Sequence, residues 1–351
     1  MDQDSNQNSV IFKGWVFGLI VFIIAGIFFL FGYLLATWQT PDASDDNNSE
    51  IEIVSEIKIK KDTNEPNAQK TNPIYKSGYV IKNPIIAIIE NFEQIREDQK
   101  GLERADVVYE ALVEGGITRF LALFLDDKEG KVGPIRSARP YLIDWADEWT
   151  GALVHIGGSN AALAKLHDDE SLINIFEFED YPVISRSDNN IPPHNAFGSL
   201  ININKYLVLS HKEKTIDMNY EFKDFEDTSG DIRIVSLPFQ DNDYAVKYVY
   251  DADDKHYARY NAEKKHGEIK PANIVVQFTK HETIDDIGRM DIDTKNGGKA
   301  WIFQNGRVVK GEWENNGMWT KYVDSDGKTI KFNPGPIWIQ VVPNDMVINY
   351  F

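Results

Sequence analysis

DVVYEALVEGGITRFLALFLDD, Asp106 to Asp127, is the stretch on which the fold turns. Two apolar runs of strand length flank Gly115 and Gly116, a pattern that predicts a β-hairpin. Paired glycines let the backbone turn tightly, or let a ligand come close to it. Side chains on a strand alternate with a period of two, so Glu110 and Glu114 are expected to share one face. Arg119 opens the return strand.

Upstream, PIIAIIEN (84–91) has the length and apolarity of a buried strand. Downstream, GPIRSARP (133–140) sets Arg136 and Arg139 close together in a loop. Pro140 then suits the first turn of a helix, PYLIDWADEW. ALVHIGG reads as the next strand, Ser159 as the cap of a helix NAALAKLHD, and LININKYLVLS as a further helix. Strands alternating with helices predict a mixed α/β layer domain over residues 83–228.

After about Thr228 the pattern changes. IRIVSLPF, AVKYVYD, HYARYNA, NIVVQFT, KAWIFQNG, RVVKGEW, TKYVD, KTIKFN and PIWIQVVP are short strand candidates, with turn signals at Asn305-Gly306 and Asp326-Gly327. Residues 229–351 are expected to form a mainly β domain, a small barrel or sandwich. Trp301, Trp313, Trp319 and Trp338 fit cross-strand packing there better than a ligand platform. The expected class is therefore α+β: a mixed α/β layer domain, then a mainly β domain, behind one transmembrane helix.

That helix is expected from Gly14 to Trp38, where no residue is charged. The run is about 25 residues, roughly 37 Å as a helix, against the roughly 20 needed to span a bilayer. Trp15, Tyr33 and Trp38 sit where interfacial aromatics belong. Lys13 precedes the span and Asp42, Asp45 and Asp46 follow it, which places residues 1–13 in the cytoplasm and the body outside. The lipid bilayer is thus one expected partner. Residues 39–82 read as a polar stalk, within which IEIVSEIKIK could form a docked strand.

The 351 residues carry a net charge of -18 and no cysteine. Such a chain repels nucleic-acid phosphates, and it has no disulfide, thiolate metal site or lipid-modified cysteine. No P-loop, HExxH, GxSxG or dinucleotide fingerprint is present, so no cofactor and no metal is expected. The candidate ligand-binding residues are Glu110, Glu114, Arg119, Arg136, Arg139, Asp144, His155 and His194, with Arg186 nearby in sequence. Arginine forks suit carboxylate or phosphate oxygens, so an anionic or glycan envelope ligand is the expected partner. Two carboxylates on one face could instead do acid–base work on a glycan, and His155 could serve as a base. The plain structural alternative is that these Glu–Arg pairs neutralise one another across strands.

NPIIAIIEN, GLERADVVYEALVEGGITRFLALF, VGPIRSARPYLIDWA, VHIGGS and PPHNAF, in that order, resemble the N-terminal domain of YerB-like bacterial lipoproteins. YVYDADDKHYARYNA, NIVVQF, GRMDID followed by GGKAWIFQNGRVVKGEW, and FNPGPIWIQVVP resemble their C-terminal domain. The resemblance runs from Asn83 to Pro343 and implies a two-domain, extracytoplasmic, envelope-facing protein. Both domains are of unknown function, so no catalytic residue carries over. The chain departs from the family at its anchor: a lipidated cysteine is replaced by the Gly14–Trp38 segment.

Overall fold

The β2–β3 hairpin that organises the molecule is formed by Val107–Leu112 (β2) and Thr118–Phe124 (β3), buried at every position. PIIAIIEN supplies the neighbouring strand β1, Ile85–Glu90. Ala152–Val154 (β4) and Ile173–Ile175 (β5) extend the sheet in parallel on that side. The computed structural model describes residues 73–176, 183–224, 228–239 and 242–351. The expected cytoplasmic tail, the Gly14–Trp38 span and IEIVSEIKIK lie outside the described residues. Among the described residues no helix is long and apolar enough to cross a membrane.

The second half does not close on itself as a small barrel or sandwich. Asn273–Thr279 (β6), Gly298–Gln304 (β7), Arg307–Asn315 (β8), Thr320–Asp324 (β9) and Ile337–Pro343 (β10) join the same sheet. The resulting order is β9-β8-β7-β6-β10-β2-β3-β1-β4-β5. β10 lies parallel to both β6 and β2 and so joins the two halves. The reason is in the sequence: NIVVQFT is buried at all seven positions and IWIQVVP at six. Strands apolar on both faces need cover above and below, as central parallel strands have. KTIKFN forms no strand, only an isolated bridge from Phe332 to Phe222 and one from Thr329 to Val323.

Alternation splits the sheet into two cores. Ile85, Ala87 and Ile89 enter one, Ile86 and Ile88 the other. On the Ile86 side lie α1 (Pro140–Asp147) and α2 (Asn160–Asp168). The first has proline at its first turn. The second is capped by Ser159, whose Oγ accepts from the Ala162 N–H at 3.2 Å, as its sequence predicts. On the Ile85 side lie α3 (Leu200–Leu209), capped by Ser199, and a five-stranded sheet built from residues 234–265 and 349–350. Each fully buried Phe or Leu of these cores contributes about 1.5–3 kcal/mol.

The stalk ends earlier than residue 82. Ile74 and Ile81 are wholly buried, and Val80–Lys82 pairs antiparallel with Thr215–Asp217. The cause is local alternation, which turns Ile81 inward and Val80 and Lys82 outward.

Candidate functional site

The period of two that builds the sheet also decides which candidate residues meet. Glu90, the last residue of β1, lies opposite Arg119 on β3, so both point to the Ile86 side. Past β3, residues 134–136 take up pairing with the end of β1: Glu90 N donates to Pro134 O at 3.0 Å and Arg136 N to Ile88 O at 2.9 Å. This sets Arg136 beside Glu90, with Nε 3.2 Å from Oε1. His194 reaches the same carboxylate, its Nδ1 2.9 Å from each oxygen, and its ring stacks on Phe92 at 5.3 Å. Arg139, at the N-cap of α1, grips Glu114 with two hydrogen bonds of 2.6 and 2.7 Å. Such a fork-to-carboxylate pair is among the stronger hydrogen-bonded contacts.

Arg119 sits between these pairs. Only 7% of it is exposed. Its NH1 donates to Ser137 O at 2.7 Å, and it makes no ion pair among the described residues. Burial, then the nearby Arg139, push its pKa down to about 10. Glu114 behaves oppositely: partial burial raises its pKa, but the Arg139 hydrogen bonds and charge outweigh that and hold it below the usual range. The half-open cleft that these residues line has a volume of about 300 Å³. Chemically it is a patch of positive potential at the end of a sheet, beside the N-terminus of α1.

The structure therefore brings together Glu114, Arg119, Arg136, Arg139 and His194. It separates Glu110, Asp144 and His155 from them. β2 ends at Leu112, and Glu114 lies in a short turn where Gly115 takes φ 71°. The alternation that was to align Glu110 with Glu114 is broken there, and Glu110 points to the Ile85 side instead. It is wholly buried. Its Oε2 accepts from Arg259 NH2 at 2.7 Å and Gln340 Nε2 at 2.9 Å, and its Oε1 from Thr118 Oγ1 at 2.7 Å. The expected carboxylate pair for glycan chemistry is thus split by the sheet. Asp144 accepts from Lys165 Nζ on α2 at 2.5 Å. His155 is buried, with Nδ1 2.8 Å from Gly157 O and Nε2 2.8 Å from Asn174 Oδ1. Arg186 donates to Asn195 Oδ1 at 3.1 Å.

Glu90 was missed from the sequence, although it closes an apolar run, and strand ends are where binding residues gather. Arg259 was missed as well. Its guanidinium lies 5.3 Å over the Phe120 ring and 5.1 Å over Trp338, and it donates to Asn261 Oδ1 at 2.6 Å. Nothing local in HYARYN marks it. His266 contacts it too; burial, then the charges of Arg259 and Arg96, hold the His266 pKa well below the usual value. Among the described residues no group of three His, Asp or Glu converges as metal ligands.

Residues 71–214 match the N-terminal domain, and residues 235–339 the C-terminal domain, of a family described as proteins of unknown function, DUF3048. The chain belongs to the DUF3048 family. YerB of Bacillus subtilis strain 168 is 32% identical to it over 276 residues, 75% of this chain and 82% of YerB. The crystal structure of Bacillus subtilis YerB matches with a TM-score of 0.68 at 30% identity, over 77% of this chain and 94% of that one. The YerB-like resemblance read from the sequence is borne out. Every cleft residue lies within the N-terminal DUF3048 match. The Glu110–Arg259 pair, by contrast, joins the two DUF3048 domains.

Proposed function

We propose that this chain is a membrane-tethered, envelope-facing binding protein that takes an anionic ligand in the cleft around Arg119. Arg119 carries the reading. A buried cation costs several kcal/mol unless it is paired, and here two more arginines stand beside it while Glu90 and Glu114 face Arg136 and Arg139. An arriving anion supplies the missing partner. The location rests on the lipoprotein designation in the name of the Bacillus relative and on the uncharged Gly14–Trp38 segment. The test is titration of the full-length chain and of Arg119→Gln with sulfate, phosphate and glucuronate. At least one anion should bind the parent, and Arg119→Gln should lose that binding while melting at a similar temperature. Equal binding by both proteins, or no binding by the parent, removes the proposal.

A second reading, a hydrolase of cell-wall or anionic glycan substrates, is favoured by one contact. His194 engages Glu90 through Nδ1, which leaves Nε2 to act as a general base. The residues first expected for this role, Glu110, Glu114 and His155, are engaged elsewhere. Release of reducing ends from cell-wall fragments, abolished in His194→Ala, would establish it; no release by the parent would dismiss it.

A further inference from the structure

We infer that the cleft is set for a single sugar-sized unit bearing one negative charge, a sugar carboxylate or a sugar phosphodiester, and that Glu90 and Glu114 enforce that choice. The inference rests on the anion-binding reading above and specifies its ligand.

Charge comes first. Three guanidinium groups, Arg119, Arg136 and Arg139, meet two carboxylates, Glu90 and Glu114, so with His194 counted as neutral the cleft carries one net positive charge. Both carboxylates are held in place. The Glu90 side chain is 6% exposed between Arg136 and His194, and Glu114 is clamped through both oxygens. The unspent donors belong to Arg119 and Arg136, each of which makes one hydrogen bond, to a backbone carbonyl. One guanidinium edge matches two coplanar oxygens, those of a carboxylate or the two non-bridging oxygens of a phosphodiester. A phosphomonoester brings a second charge into a site that already holds two carboxylates. In a partly desolvated cleft that repulsion is poorly screened.

Size and shape narrow the ligand further. A volume of about 300 Å³ lies at the small end of ligand pockets, enough for one ring and not for an oligosaccharide lying within it. Phe92 and His194, stacked on each other, both line the cleft and put an aromatic surface beside the charged groups, suited to the C–H face of a sugar.

The experiment is calorimetric titration of the full-length chain at pH 8 with glucuronate, a glucose–glycerol phosphodiester, glucose 6-phosphate and glucose. At that pH the phosphomonoester is essentially a dianion, its second pKa being about 6. Glucuronate or the diester should bind at least about tenfold more tightly than glucose 6-phosphate, with glucose bound more weakly than either. Whichever of the two binds better identifies the source of the charge. Glu114→Gln adds one net positive charge and should raise affinity for glucose 6-phosphate about tenfold or more. If that variant melts far below the parent, Glu90→Gln makes the same charge change from the other side of Arg119. Tightest binding of glucose 6-phosphate by the parent, or no gain for it in either glutamine variant, overturns the charge match and leaves the anion site standing. Failure of every anion to bind the parent better than Arg119→Gln overturns the anion site itself.

Discussion

Arg119, on the ten-stranded sheet, and Arg259, on the five-stranded sheet that packs against its other face, are both buried arginines, and they are held in opposite ways. Arg259 is wholly buried against Glu110, with Asn261 and two aromatic faces completing its surroundings. Arg119 has a carbonyl, two like charges and the attraction of Glu114, whose two oxygens are already taken by Arg139. Burial of a charge therefore does not mark function by itself. What separates the two faces is whether the arginine has a carboxylate in direct contact, as Arg259 has in Glu110. The closed face joins the two halves of the protein, and the open face is the one on which we propose that an anion supplies the missing charge.

The sharpest way to break this comparison is at Arg259. Arg259→Met leaves Glu110 buried without a cation, and the expected loss is about 3–5 kcal/mol. For a chain of this size that is roughly 4–8 °C in melting temperature, measured by urea or thermal unfolding. A variant as stable as the parent would mean that the closed face is not closed by this pair.

Glu148 tests what a buried carboxylate does without a cation. It accepts from Thr320 N at 3.0 Å and Thr320 Oγ1 at 2.7 Å, and burial pushes its pKa from 4.5 up to about 7, with Asp144 and Asp147 adding to the rise. A carboxyl that holds its proton more tightly when folded stabilises the fold fully below about pH 4.5. That contribution is lost as pH rises through about 7, a decline on the order of 3 kcal/mol. Glu148→Gln should flatten stability between pH 5 and pH 7.5. An unchanged slope would assign the pH dependence to other groups.

Smaller effects are expected on the open face. Arg139→Ala breaks a half-buried charged pair and should cost about 1.5–3 kcal/mol. Arg119→Met removes a mutually repelled cation and should stay within about 1 kcal/mol of the parent. If Arg119→Met instead unfolds the protein as readily as Arg259→Met, the two faces are alike and the cleft is structural.

Much of the sheet was legible. PIIAIIEN follows from an apolar run of strand length, the Asp106–Asp127 hairpin from two such runs around a Gly-Gly turn, and Ser159 capped its helix because a hydroxyl before an apolar-periodic run has one good use. Arg136 and Arg139 were legible as a pair because a proline-bounded loop keeps them together. What failed was the parity of Glu114: a strand that stops two residues short takes the next carboxylate off the predicted face. The fusion of the two halves into one sheet was hidden as well. The apolar runs of β6 and β10 say that both faces are covered, but not by whom. Arg259 lies in HYARYN, where either face contains an aromatic residue, so alternation could not tell which side was buried.

The central place of β10 has a consequence for how the chain reaches its folded state. Gln340 on β10 bonds Glu110 on β2 across a sequence separation of 230 residues. During synthesis, the hairpin that begins the fold emerges with one edge unpaired. It stays so until almost the whole body has followed. Closing so distant a contact is slow, and an open apolar strand edge is a template for pairing with a neighbour's. The N-terminal half should therefore be a poor independent product: a fragment ending near residue 228 would carry an uncovered β2 edge and aggregate, whereas adding the segment 337–343 in trans would supply the missing strand. The same geometry makes the interval between the synthesis of β2 and that of β10 a window in which the open edge is exposed.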